Sequence, residues 1–298
     1  MNRVRLGFWM GFCPWLLCGL WGGRAQAQNI TDIDLTQGYS LKPVPLSFGG
    51  AFRALADTNA AILLNPAGLA QRKGKVSVSG DYLYNDFAPS NTFGVAVSDY
   101  KATPVMAFGL AYDYDQRSIG GNDINVHQVT LAGAGDFSEI LYVGMAAKYY
   151  VSTVDSPFIT GPDGPDIDVG FLVKPIPLLS LALTAQNLAQ GYSHNEFPLS
   201  MGFGGALNLQ PYARIAIDVT KNFETSTTNG VNAYFGGEIR AAEGLFLRSG
   251  FGLDRVRDNN FWGVGAVSST NQIGVGFTYA RHLSPTSNTF AGNLELYF

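Results

Sequence analysis

The chain has 298 residues, of which 14% are charged, 36 are glycine and 13% are aromatic. That is too little charge and too much glycine for an ordinary soluble α/β enzyme, and the 46% hydrophobic content excludes a disordered chain. The acidic balance argues against nucleic acid as a partner.

Residues 1–27 read as a cleaved signal peptide. Arg3 and Arg5 form a positive n-region, Leu6 to Gly23 an apolar h-region, and Ala25-Gln26-Ala27 an A-x-A cleavage site, so the mature chain is expected to start at Gln28. The h-region is long enough to be weighed as an uncleaved anchor. Its glycines, Pro14 and the A-x-A site favour cleavage. A lipoprotein signal would need a small residue before the cysteine, but Cys18 follows Leu17 and Cys13 follows Phe12. Both cysteines lie in this signal, so the mature protein is expected to have no disulfide and no thiolate chemistry. Of the 19 Lys and Arg, Arg3, Arg5 and Arg24 also lie there, leaving 16 against 23 acidic residues and a net charge of about −7.

Residues 28–73 are expected to form a periplasmic lead and a short helical plug. Gln28 to Pro45 is polar and irregular. Leu46 to Ala70 is the one clear helix-like stretch of the exported chain, because its alanines and leucines favour helix. Gly49-Gly50 opens it, Asp57 or Thr58 can cap a second turn, and Asn65-Pro66 stops it. Two short helices are predicted.

From Gly74 the period becomes two, and residues 74–298 are expected to form a transmembrane antiparallel β-barrel, an all-β fold. The candidate strands are 75–85, 91–98, 104–114, 124–136, 139–152, 166–174, 178–187, 198–208, 212–222, 230–241, 244–254, 260–267, 271–281 and 289–298. These are about fourteen segments of ~8–14 residues, near the ~9–11 that a tilted strand needs to cross a bilayer. Beyond the signal no run reaches the ~18 apolar residues of a membrane helix. A closed barrel instead satisfies every backbone N–H and C=O through its neighbours. Connections alternate between tight ones (such as 175–177 and 242–243) and mostly longer polar ones (such as 114–123 and 188–197). Outer-membrane barrels pair short periplasmic turns with longer external loops. An even strand count leaves both chain ends in the periplasm.

The strand faces are sorted by charge. Leu141, Val143, Met145 and Ala147 oppose Lys148, and Ile215, Ile217 and Val219 oppose Arg214 and Asp218. Val231, Phe235 and Ile239 oppose Glu238 and Arg240, and Leu245, Leu247 and Phe251 oppose Arg248. A lysine or arginine facing lipid at mid-membrane costs about 2–4 kcal/mol, so these charges, with Asp168, are expected to face the lumen and pair there or with the plug. A soluble β-sandwich would also alternate. Its strands would rarely carry so much glycine, nor an aromatic girdle such as Tyr149, Tyr279, Tyr297 and Phe298. The terminal Phe298, after Leu294 and Leu296, resembles the signal that barrel-assembly machinery reads.

Phe48-Gly49-Gly50-Ala51-Phe52-Arg53-Ala54-Leu55-Ala56-Asp57, followed by Asn65-Pro66-Ala67-Gly68-Leu69-Ala70, resembles the N-terminal signature of the FadL superfamily of outer-membrane barrels. It is most similar to the PorV/PorQ-like branch. Gln186-Asn187-Leu188 and Phe197-Pro198-Leu199 also resemble PorV-type strands. The resemblance implies a fourteen-stranded barrel of a Gram-negative outer membrane, plugged by an N-terminal segment that contains the N-P-A motif. It makes Phe48, Phe52, Arg53, Asp57, Asn65, Pro66, Ala67 and Gly68 the candidate plug or gate residues. Asn-Pro also simply ends a helix, and Gly68 permits a turn, so a purely structural role stands beside the gating one.

No catalytic constellation, cofactor site or metal site is expected. His127, His194 and His282 have no metal-ligand partner at suitable spacing and read as solvated rim residues. No G-x-S-x-G is present. Asp163, Asp166 and Asp168 could hold calcium, but they lack EF-hand spacing, and Pro-Asp-Gly is a common turn. Asp113, Asp115, Arg117, Asp254, Arg255, Arg257 and Asp258 read as loop charges of a solvated rim, which could also meet lipopolysaccharide phosphates.

Two functions follow as expectations. One is passive uptake of hydrophobic small molecules of the fatty-acid or hydrocarbon class. The other is a PorV-like platform for secretion or surface-assembly proteins. An apolar cavity with a lateral wall opening would favour the first, and a closed wall the second.

Overall fold

In a computed structural model, residues 42–71, 75–86, 90–100, 103, 105–119, 122–155, 163–189, 199–223, 230–255, 259–284 and 286–298 are described. The expected signal peptide with Ala25 and Ala27, the lead up to Leu41, His194, Arg257 and Asp258 lie outside them.

Fourteen antiparallel strands close into a barrel in which each strand pairs with its sequence neighbours and β1 pairs with β14. The strands are β1 (Val76–Asn85), β2 (Ser90–Asp99), β3 (Met106–Ile119), β4 (Asn122–Asp136), β5 (Leu141–Val154), β6 (Gly164–Ile176) and β7 (Leu179–Gln186). The second half comprises β8 (Ser200–Leu209), β9 (Ala213–Asn222), β10 (Val231–Ala242), β11 (Leu245–Leu253), β12 (Phe261–Ser269), β13 (Ile273–Leu283) and β14 (Thr286–Tyr297). The start of β1 and the end of β14 share one rim, here the base; the opposite rim is the crown.

Strand alternation sets what each face meets. On β5, Met145 and Tyr149 point outward and are exposed, while Gly144, Ala146, Lys148 and Tyr150 point inward and are buried. The outward charges of the described strands, Asp99, Asp123, Lys221 and Arg281, sit close to strand ends, so the outer belt is apolar. This is the lipid-facing pattern that alternation predicts. Near the crown, Tyr82, Tyr114 and Tyr279 donate hydroxyl bonds of 2.7, 2.8 and 2.7 Å to the outward side chains of Asn91, Asn125 and Asn288. Such rings with an apolar body and a wet tip suit an interfacial girdle.

Four expectations need correction. β3 runs on to Ile119, which pairs with Asn122, so the long loop expected at 114–123 is a tight hairpin. Asp113, Asp115 and Arg117 therefore lie buried on the inner face of β3 rather than on a solvated rim. Tyr297, expected in the outer girdle, has inward parity; its hydroxyl donates to Glu295 at 3.0 Å and Lys75 lies over its ring. His282 is also inside: it is buried against Phe261 and bonds Asn259 and Thr289.

A fourteen-strand barrel is too wide to be filled by its own side chains. Residues 42–71 fill it. They form α1 (Pro43–Ser47), α2 (Ala61–Leu64) and a 3-10 helix (Pro66–Gln71), joined by turns. Leu46, Phe48, Phe52, Ile62 and Leu69 are fully buried. Each such burial contributes about 1.5–3 kcal/mol relative to exposure. The expected second cap is realised modestly: the Thr58 hydroxyl accepts the Ala60 N–H at 3.3 Å, while Asp57 turns to the wall.

Candidate functional site

The plug makes a circuit of the inner wall. Lys42 lies against β1–β3, and α1 packs on β11–β14. Phe48 to Gly50 touches β10 and β11, and Phe52 and Arg53 meet β8 and β9. Asn59 reaches back to β1 and β2, Ile62 to β3, and Asn65 to Ala67 to β5 and β6.

Inward glycines make this circuit possible. A Cβ built on Gly144 would overlap the backbone of Pro66 and Ala67, and one on Gly236 or Gly250 would overlap the backbone of Phe48. One on Gly263 would strike the Leu46 carbonyl. Gly49 answers from the plug side. It sits at φ +62°, where only glycine is relaxed, and a Cβ there would strike the β11 backbone. Plug and wall thus touch backbone to backbone, closer than any side chain allows.

Three ionic nodes tie the plug to the wall. The fully buried Asp218 carboxylate accepts the Phe52 and Arg53 backbone N–H groups, both at 2.9 Å, and faces the Arg53 guanidinium at 3.5 Å. Arg53 also donates to Thr184 at 3.2 Å and to Gln186 at 3.1 Å. Gln186 in turn donates to the Leu63 carbonyl at 3.0 Å. Asn65 donates to the Arg53 carbonyl at 2.9 Å and accepts the Ala67 N–H at 3.2 Å. The Asn-Pro-Ala turn is therefore hydrogen-bonded to the Arg53 turn, and Pro66, which has no N–H, costs no donor there. The Gly68 position meets Ala56 so closely that no Cβ fits.

The second node is near the base. Arg214 pairs with Asp57 of the plug and with Glu238 at 2.8 Å, and Arg248 pairs with the same Glu238 at 2.7 Å. The Phe48 ring lies under both guanidinium groups, at 5.8 and 5.3 Å from its centroid. In the third node Lys42 pairs with Asp113 and, at 3.4 Å, with Asp81. Burial would lower its pKa, but these two carboxylates more than offset that, so the net direction is upward and the ammonium stays charged.

Of the expected lumen charges, Arg214, Asp218, Glu238 and Arg248 thus meet the plug or its partners. Lys148 and Asp168 are inside but pair with each other at 2.7 Å, on the crown side of the plug. Asp166 joins them at 3.1 Å from Lys148, so two of the three carboxylates considered for calcium hold a lysine. Among the described residues no cluster suits a metal ion. Arg240 has inward parity but lies at the base end of β10, exposed, donating to the Ala242 carbonyl at 3.3 Å. It is not part of the lumen network. Phe298 ends the chain exposed, its backbone paired with Val76.

Several contact residues escaped sequence reasoning: Lys42, Asn59, Gln71, Thr184, Gln186 and the inward glycines. Asn59 bonds Ser77, Ser79 and Ser98, and Gln71 donates to the Leu55 and Ala56 carbonyls. The parity of the glycines was readable, since they share a face with the charges. The wall itself is hydrogen-bonded all the way round, with register irregularities only between Val173 and Ile176 and between Arg240 and Ala242 among the described ladders. Between β6 and β7 the ladder covers Val169 to Ile176 and does not extend to Gly164–Asp168 of β6.

No protein-family model matches the sequence, and neither does any curated protein sequence. Solved structures do match in fold. CymD, a monoaromatic hydrocarbon channel, superposes with a TM-score of 0.66 at 10% identity, covering 88% of this chain and 98% of that one. The Ralstonia pickettii toluene transporter TbuX gives 0.62 at 13% identity, with 88% and 98% covered. A Pseudomonas aeruginosa FadL homologue gives 0.63 at 10% identity, with 86% and 98% covered. At such identities the likeness is one of fold. The expected similarity to FadL-type barrels holds at that level, and none of these three structures is of the PorV/PorQ-like branch.

Proposed function

We propose that this chain is a FadL-like barrel of a Gram-negative outer membrane that admits hydrophobic small molecules passively, of the hydrocarbon or fatty-acid class. The observation that carries the reading is the shared fold with a hydrocarbon channel, a toluene transporter and a FadL homologue, over nearly the whole of each. An apolar belt between polar rims supports a membrane setting, with lipid and lipopolysaccharide around it and barrel-assembly machinery inserting it through the Phe298 end. Residues 1–27 as a signal peptide and 28–73 as lead and plug complete this reading. Transport rather than catalysis fits a lumen occupied by its own chain.

Residues 42–71 pack inside the lumen, so in this reading passage requires part of the plug to move. Phe48, Phe52, Arg53, Asp57 and the Asn65-Pro66-Ala67-Gly68 turn would set that movement, because they carry the contacts that must break. Ser47→Cys with Gly265→Cys tests it: the Ser47 Cβ lies 2.8 Å from where a Gly265 Cβ would be, close enough for a disulfide after a small shift. Proteoliposomes should take up a labelled alkane or fatty acid faster than empty vesicles. The oxidised double variant should fall to the empty-vesicle rate and recover on reduction. Equal rates for wild-type and empty vesicles would end the proposal.

The second reading, a PorV-like platform for secretion or surface-assembly proteins, draws on the closed strand order and the packed plug. Crosslinking in intact outer membranes followed by affinity purification separates the two. A barrel recovered without a stoichiometric protein partner counts against the platform.

A further inference from the structure

The plug sends one aromatic ring into an ionic row on the wall. Register sets Arg214 of β9, Glu238 of β10 and Arg248 of β11 directly opposite one another, and strand alternation turns all three inward. Arg214 donates from Nε and Nη2 to the two Glu238 carboxylate oxygens at 2.8 and 2.9 Å, and Arg248 Nε donates to one of them at 2.7 Å. Because its members belong to three paired strands, this row is built without the plug. The plug adds Asp57 to Arg214, and it adds the Phe48 ring. The ring centroid lies 5.8 Å from the Arg214 guanidinium carbon and 5.3 Å from that of Arg248. Both distances are within cation–π range.

Phe48 is fully buried, so the ring meets these cations away from water, where the attraction is strongest. A guanidinium pairs with carboxylates in its plane and offers its faces to aromatic rings. Glu238 serves the first of these needs. The second is met by a side chain of the very segment that must move in the uptake reading. Withdrawing Phe48 leaves two weakly hydrated cations beside a space the size of one ring. An aromatic solute restores the lost contact there. A saturated solute fills the same space but brings no quadrupole.

We infer that Arg214, Glu238 and Arg248 form a cradle for an aromatic ring, that Phe48 is its internal occupant, and that an aromatic solute frees the plug by taking the place of Phe48. The inference rests on the uptake reading above and narrows its solutes to those with a π face. A solute shifts a conformational equilibrium only through its differential affinity for the two states. The cradle is filled while the plug is packed and vacant once Phe48 withdraws. Toluene therefore favours the displaced state, and methylcyclohexane favours it far less.

Trypsin cleavage after Arg53 in the folded, detergent-solubilised barrel reports the displacement, with toluene, methylcyclohexane and hexanoate as probes at equal micellar concentration. Toluene should accelerate cleavage about tenfold more than methylcyclohexane. Hexanoate, which brings a carboxylate for the two arginines but no ring, should not match toluene. Phe48→Ala should reverse the sign. Its vacated space takes toluene while the plug stays in place, so toluene should bind at one saturable site by calorimetry and slow the cleavage. Heat-modifiable gel mobility checks that this variant folds, and the wild-type probe series decides alone if it does not. Equal effects of toluene and methylcyclohexane, hexanoate as effective as toluene, or toluene still speeding cleavage of Phe48→Ala overturns the cradle. Uptake of labelled solute by proteoliposomes in that case spares the uptake reading. No effect of any probe together with no uptake overturns both.

Discussion

At the scale of single residues, Asp218 is the most consequential plug contact. Its carboxylate satisfies two backbone N–H groups of the plug and faces one guanidinium, with no exposure to solvent. Asp218→Asn leaves a buried Arg53 without its counter-charge, and breaking such a pair costs about 3–5 kcal/mol. The plug should loosen while the barrel stays closed. Planar-bilayer recordings should show open events that are rare in wild type. Asp86 sets a different test, since it is solvated. Bonds from the Asn288 side chain and then its backbone N–H hold the Asp86 carboxyl below its ordinary pKa. A depressed carboxyl contributes stability that is present above about pH 4 and lost as pH falls through its folded value. Protection of the Asn288 amide, taken relative to its intrinsic exchange rate, should therefore fall below about pH 4, while that of Asn293 in the middle of β14 should not. Parity alone identified the wall residues that face the plug, Arg214, Asp218, Glu238 and Arg248. It misplaced Arg240, because alternation reports which face a residue takes and not how far along the barrel it stands. Lys42 was overlooked because nothing local in Ser40-Leu41-Lys42-Pro43 marks an ion pair with strands far along the chain.

At the scale of elements, all fourteen strands were legible, since a two-residue period with charge on one face has few other causes. The end of β3 was not. Asp113, Asp115 and Arg117 look like loop residues because a polar residue inside a plugged lumen and one in solvent have the same composition. The helices were legible only as short and interrupted; their position depends on glycines far away in sequence. Those glycines can be tested directly. Gly144 lies under the Pro66–Ala67 backbone, whereas the outward Gly133 would bring its Cβ no nearer than 3.7 Å to the Phe108 ring. Overpacking costs about 1–3 kcal/mol where nothing can give. Gly144→Val should displace the plug and expose Arg53 to trypsin, and Gly133→Val should leave Arg53 protected. Equal protection in both would mean that the wall yields instead.

At the scale of the whole molecule, the exposed apolar belt and the buried polar lumen invert the arrangement of a soluble protein. Met145 stands in mid-belt at 58% exposure and Tyr212 at the base turn at 76%. Met145→Lys should therefore lower folding stability in lipid vesicles by about 2–4 kcal/mol, and Tyr212→Lys by about 0–1, because the penalty falls toward the interface. Urea titration in vesicles measures both. Similar costs at the two positions would deny that the belt meets hydrocarbon. The glycine contacts constrain motion on this scale as well. A shaft held by keyways in almost every quadrant of its housing can neither spin nor slide as one body. It can come out only by unthreading, one sector after another, starting where no notch grips it. Asp57, Thr58, Ala60 and Gln71 are the partly exposed residues of the plug, and no wall glycine of the described strands closes on the first three. If the proposed uptake holds, opening would begin there as a local peeling at the base and spread toward Phe48, giving a series of graded apertures rather than a single stopper that is either in or out.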